Sequence, residues 1–232
     1  MGRCRSYLVW NVWEKHQQRR PSRPGQFTGR QELSGKESSS TIRTRAEYLK
    51  ALRIESYGDL QRFLAADLAR HGESPVRSII SLPQCRWLIR LRITEWWCNC
   101  HQGRPSQLFG AVLRWRLQAA AVKLGYTIAI NRLGPGIRLP HWGTIVINGD
   151  AAIGANCQIL PDVVIGGNDL GLAPTVEDNV FIGPGVKIIG SVTVGSGAVL
   201  LPGAVVIQDI PAGEKWGGVP ATPRVVQRTP RV

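Results

Sequence analysis

The chain has 232 residues, of which 43% are hydrophobic, enough to bury a sizeable core and to exclude wholesale disorder. Its formal charge of +13 is unevenly spread: Lys and Arg outnumber acids 11 to 4 in residues 1–50 and 12 to 5 in residues 51–132, but number 6 to 7 in residues 133–232, so a nucleic-acid partner is not expected. Five cysteines, an odd number, argue against a disulfide framework, and no apolar run reaches the roughly 18 residues needed to span a bilayer, so a cytoplasmic location is expected.

Residues 1–45 form an Arg-, Ser- and Gln-rich leader (QQRRPSRPGQ, then SGKESSSTIRTR) without a hydrophobic period, and this composition predicts disorder. Residues 46–125 read as an α-helical domain. A short helix is predicted over Glu47–Arg53. Ser56 is the expected N-cap of a second helix in which Leu60, Phe63, Leu64 and Leu68 recur at three and four and Gly72 supplies the stop. A third is predicted over Pro75–Trp97, broken at Pro83, and a fourth over Ser106–Leu124. They place Trp87, Trp96, Trp97 and Trp115 beside Arg86, Arg90, Arg92, Arg114 and Arg116. That pattern suits a helix lying in a membrane interface. It also suits a helix packed on a partner subunit with its arginines reaching water, which is the reading preferred from sequence. Cys98, Cys100 and His101 lie close together, but no second Cys/His pair stands at zinc spacing and no metal is expected.

From residue 126 to 225 the pattern changes. An aliphatic residue recurs every sixth position at Ile147, Ile153, Ile159 and Ile165, then at Val176, Ile182, Ile188, Val194, Leu200 and Val206. The next residue is repeatedly glycine (Gly154, Gly166, Gly183, Gly195). The fifth position of each unit is small or β-branched: Ala151, Cys157, Val163, Val180, Val186, Val192, Ala198, Ala204 and Ile210. A six-residue period fits neither a helix nor an alternating strand; it marks a hexapeptide β-helix, whose three-strand coils stack about 4.8 Å apart around one aliphatic core. Two interruptions stand out. GGNDLGLAPT, between Ile165 and Val176, reads as a loop thrown out of the coil. Leu133 and Leu139 open the register and Ile147 resumes it two residues late, with the irregularity on Pro140, His141, Trp142 and Gly143. An interruption of a regular scaffold is where function is usually placed, and His141 is the only histidine of this region.

The segments GPGIRLPHWGTIVING, AAIGANCQIL, VVIGG and VEDNVFIGPGVKIIGSVTVGSGAVLLPGAVVIQDIPAGEKWGGVPA resemble the serine O-acetyltransferases of the hexapeptide-repeat acyltransferases, and most nearly the branch found with polysaccharide genes. The resemblance implies a mainly β fold, a left-handed parallel β-helix preceded by an α-helical N-terminal domain. It implies acetyl transfer from acetyl-CoA to the hydroxyl of L-serine, with His141 as general base. Acetyl-CoA would lie against the glycine-rich turns at Gly166-Gly167, Gly183-Pro184 and Leu201-Pro202, with Lys215 and Gly218 near the nucleotide. Trp142, Leu172 and Ala173 would line the acceptor. The expected assembly is a homotrimer or a dimer of trimers, with acetyl-CoA as co-substrate. Three departures bear on the acceptor: Pro140 replaces an Asp before the histidine, Leu172 and Ala173 replace an Arg-His pair that contacts serine, and the upstream Asp that orients the histidine has no equivalent near Tyr126 and Thr127. They leave O-acetylation of a sugar hydroxyl as the alternative, and a non-catalytic β-helix scaffold as the rival of another class.

Overall fold

The computed structural model describes residues 45–71, 79, 81–168 and 172–224. The expected disorder of the leader, the Gly72 stop and the Pro75 helix start lie outside the described residues. Among the described residues four named helices come first: α1 (Arg45–Ala51), α2 (Tyr57–Ala69), α3 (Pro83–Cys100) and α4 (Arg104–Leu124). Ser56 caps α2 as its sequence predicts, its hydroxyl accepting from the Asp59 N–H at 3.0 Å. The break expected at Pro83 is present: Leu82 is extended between helical Ser81 and α3, and Pro83 opens α3, where its missing N–H costs nothing. α4 stops at Gly125, which takes the left-handed conformation (φ 79°) that glycine adopts freely.

Thirteen short strands follow, arranged as the three faces of a prism. The first sheet contains β1 (Tyr126–Thr127), β2 (Ile145–Ile147), β5 (Val163–Gly166), β8 (Lys187–Ile189) and β11 (Val205–Val206). The second contains β3 (Ala152–Ile153), β6 (Thr175–Val176) and β9 (Thr193–Val194). The third contains β4 (Gln158–Ile159), β7 (Phe181–Ile182), β10 (Val199–Leu200), β12 (Lys215–Gly217) and β13 (Thr222–Pro223). All pairings are parallel except β12 with β13. Ile147 therefore stacks on Ile165, and Ile188 on Val206, one coil of 18 residues apart.

Two of the six positions in each repeat face inward. The aliphatic series and the small fifth-position series are both buried, forming one continuous core from Leu133 to Trp216. Across the inserted loop Val176 still pairs with Ile153, so the stack continues undisturbed. Ile210 corrects the sequence register. It was expected at a fifth position, but it bridges Val194 and so occupies an aliphatic position two residues early. The last coil is short because Asp209 turns the chain, its carboxylate accepting from the Thr193 N–H at 2.7 Å.

A coil stack has an open end whose first turn lacks strand partners, and burying unpaired backbone groups is costly. Here the helices supply the partners as side chains. The Glu95 carboxylate accepts from the Asn131 N–H (2.7 Å), Arg92 donates to the carbonyls of Leu133 (2.8 Å) and Gly134 (2.6 Å), and Asp67 accepts from the Ile137 N–H (3.0 Å). Arg92 also pairs with Asp67 and Glu95, and its side chain is wholly buried. Arg92 thus departs from the expectation that the arginines of these helices reach water, an expectation that the exposed Arg86, Arg90, Arg114 and Arg116 meet. Burial opposes the Arg92 charge, but Asp67 and Glu95 outweigh it and hold the guanidinium firmly protonated. α1 packs against the second sheet, with Tyr48 and Leu52 against Ala152 and the Tyr48 hydroxyl donating to Asp178 at 2.8 Å.

Candidate active site

The edge of the prism where the third sheet turns into the first carries most of the residues singled out by sequence. Arg138 bridges Gln158, which pairs with Phe181, Val199 and Lys215 in turn. The residues that follow these strands are therefore stacked. His141 lies at the top, Gly183-Pro184 and Leu201-Pro202 below it, and Gly217-Gly218 at the bottom. The column is smooth because its turns are tight. A Cβ on Gly183 would fall 2.7 Å from the Leu200 carbonyl oxygen and 2.9 Å from the Pro202 nitrogen, so a side chain there would push the coils apart. Such an edge presents main-chain groups and the exposed rings of Pro184 and Pro202.

His141 itself is exposed, while the chain around it is fixed from several sides. The Leu139 N–H donates to Nε2 of His71 at 3.2 Å, and the Gln84 amide donates to the Pro140 carbonyl at 3.1 Å. The Tyr126 hydroxyl donates to the His141 carbonyl at 3.0 Å, and the Gly143 N–H donates to the Leu124 carbonyl at 3.0 Å. Burial pushes the Tyr126 phenol well above its ordinary pKa, so it stays a donor. Gly143 (φ 139°) is needed because a Cβ there would sit 2.9 Å from Pro161 of the next coil. The two-residue insertion thus pushes one imidazole out from a rigid main chain.

Trp142 lies beside His141 and is 65% exposed. The other residues singled out by sequence, Gly166 and Gly167 for acetyl-CoA and Leu172 and Ala173 for the acceptor, are elsewhere. Gly166 ends β5 and Gly167 follows it, at the edge where the first sheet turns into the second. Leu172 closes the loop, its carbonyl accepting from the Asn168 N–H (2.8 Å) and its N–H donating to the Asn168 side chain (3.0 Å). Leu172 is exposed and Ala173 is buried. Within one chain the width of the first sheet separates Gly166, Gly167, Leu172 and Ala173 from His141. At the lower end Lys215 is exposed, and Arg224, which sequence reasoning missed, lies over the Gly217-Gly218 turn, donating to the Gly217 carbonyl at 3.2 Å. Its signal in the sequence was only its place in the antiparallel return of β13. Among the described residues no group of three or more His, Cys, Asp or Glu is placed to hold a metal ion.

Among the described residues the geometry is that of a hexapeptide β-helix with a helical cap and His141 exposed on one edge. Residues 173–208 match the family model described as bacterial transferase hexapeptide (six repeats). A 93-residue segment is 38% identical to the serine acetyltransferase of Escherichia coli (strain K12), covering 39% of this chain and 34% of that protein. The chain thus spans about a third of the length of that curated relative. The fold is the one found in serine acetyltransferase structures. The Neisseria gonorrhoeae enzyme in complex with serine superposes with a TM-score of 0.59 at 26% identity, over 72% of this chain and 69% of that one. A serine acetyltransferase in complex with CoA superposes with a TM-score of 0.59 at 25% identity, over 72% and 71%.

Proposed function

We propose that this protein is an acetyl-CoA-dependent serine O-acetyltransferase in which His141 is the general base. The observation that carries the reading is the shared edge: His141 stands at the head of the smooth column formed by Gly183-Pro184, Leu201-Pro202 and Gly218. Acetyl-CoA laid along that column, with its phosphates toward Lys215 and Arg224, would bring the thioester to the imidazole. The neutral imidazole accepts the proton of the acceptor hydroxyl as its oxygen attacks the thioester carbon. Collapse of the tetrahedral intermediate expels the CoA sulfur, which takes the proton back from the imidazolium. No acyl-enzyme is needed. Similarity to serine acetyltransferases, including ones solved with serine and with CoA, supports both substrates.

The assembly we propose is a homotrimer, which can in turn pair as a dimer of trimers. Gly166-Gly167 and the Leu172-Ala173 loop occupy a different edge from His141, so they can join it only across a boundary between subunits. Loop glycines brought there in this way would offer N–H groups to the developing oxyanion. Coupled release of CoA from acetyl-CoA, followed with a thiol reagent, tests the function. L-Serine should drive release, and His141→Ala should abolish it while leaving the circular dichroism spectrum unchanged. A sugar hydroxyl is the second reading, favoured by one observation: apolar Leu172 and Ala173 offer no cation for the serine carboxylate. Release with a polysaccharide precursor and not with serine would select it and the polysaccharide-associated branch. Absence of release with any acceptor would leave a scaffold.

A further inference from the structure

Helix α4 is apolar on two opposite faces. Gly110, Leu117 and Ala121 are buried against the rest of the protein. On the other side Leu108, Val112, Trp115 and Val122 recur at four, three and seven and are 72%, 50%, 71% and 68% exposed. A helix apolar all round is normally covered on both sides. The charge pattern says by what. From Pro83 to Leu124 the one carboxylate is Glu95, which is buried on Arg92, while Arg86, Arg90, Arg104, Arg114, Arg116 and Lys123 are all exposed. At 100° per residue Arg116 and Lys123 border the apolar stripe on one side, and Arg104 lies on its other margin beside Val122.

We propose that the outer face of α4 docks this protein onto an anionic membrane surface. Leu108, Val112, Trp115 and Val122 would enter the headgroup boundary, with the bordering arginines and lysine on the lipid phosphates. This reverses the preference for a partner subunit drawn from sequence. A second copy of α4 on the same stripe would set cations against cations with no acid on either helix to relieve them. Nucleic acid would engage the cations and leave the apolar stripe in water. No described helix is long and apolar enough to cross a membrane, so the contact is a docking on the surface.

The full chain is to be sedimented with phosphatidylcholine vesicles with and without about 30% phosphatidylglycerol. Because the leader is also basic, the comparison that counts is between wild type and two variants at exposed positions, Leu108→Ser/Trp115→Ser and Arg116→Glu/Lys123→Glu, each checked for native circular dichroism. Wild type should partition onto the anionic vesicles about tenfold more than either variant, and salt at about 0.5 M should remove most of the difference. Equal partitioning of all three proteins would overturn the proposal. So would a fall in molar mass of Leu108→Ser/Trp115→Ser in light scattering with no change in vesicle binding, which would assign the stripe to a second copy. Loss of duplex DNA binding in Arg116→Glu/Lys123→Glu, with vesicle binding unchanged, would overturn it as well.

Discussion

The hydroxyl of Tyr126 holds the main-chain oxygen of His141 at 3.0 Å, and it stands where the resemblance implies a carboxylate. Tyr126 reaches only the backbone of the proposed base, so any part it has in turnover is to place His141. Tyr126→Phe keeps the edge-on contact with Trp87, whose ring centre lies 5.1 Å away, and deletes only the donor. Stability should fall by ~1 kcal/mol. Turnover, measured well below the melting transition, should drop by about tenfold with KM for acetyl-CoA unchanged. A turnover equal to wild type would remove Tyr126 from any positioning role.

Arg92 is the centre of the helical cap, and its removal leaves Asp67 and Glu95 buried without a counter-charge and two carbonyls of the first coil without donors. Arg92→Met should cost ~3–5 kcal/mol in denaturant unfolding. Arg62, on the surface beside Asp59, is the comparison: Arg62→Met should cost less than ~1 kcal/mol.

Glycines in the turns are not equivalent. A Cβ on Gly195 would lie 2.5 Å from the Ala212 nitrogen, whereas one on Gly149 meets nothing within 4 Å. Gly195→Ala should therefore destabilise by ~1–3 kcal/mol and Gly149→Ala by less than ~0.5 kcal/mol. Matching melting temperatures for the two variants would refute this steric account of the stack.

Arg224 and Lys215 flank the lower turn of the proposed acetyl-CoA edge. Arg224→Ala should raise KM for acetyl-CoA about fivefold, equivalent to ~1 kcal/mol, with KM for the acceptor unchanged. An equal rise in both constants would move Arg224 away from the nucleotide.

Burial pushes the Cys85 thiol up to about 11 and the Cys157 thiol up to about 12, from an ordinary value of 9.0. Both should resist a thiol reagent at pH 8 until the protein is denatured. Above about pH 9 the unfolded chain loses these protons while the folded one keeps them, so stability should fall as pH rises toward 11. Cys157→Ala should flatten that alkaline slope. An unchanged slope in denaturant melts across this pH range would show that other groups set it.

How far the structure could be read in advance depended on the range of the interactions concerned. The coil register was legible because a period of six is a local property, and Ile147 to Val206 fall where the repeat puts them. The two-residue insertion at His141 was legible for the same reason, as a fault in that period. Arg92 was misread because its partner Asp67 is 25 residues away on another helix, and nothing beside Arg92 distinguishes it from Arg90, which is exposed. Tyr126 and Gln84 were invisible as anchors of the His141 loop because both act on carbonyls, which every residue has. Ile210 misled because the shortened coil preserves an aliphatic residue at the expected spacing while shifting its partner.

The side chains on the first coil and the antiparallel strand at the last one have a consequence for the company the protein keeps. A stack of parallel coils is a template at both ends, on which another chain could add a turn and continue the ladder into a fibre. Glu95, Arg92 and Asp67 occupy the upper rim, and β13, reversed in direction and ending on Pro223, occupies the lower one. Both rims are thus closed to strand addition, and the filament that the repeat alone would permit, coil stacked on coil, is blocked.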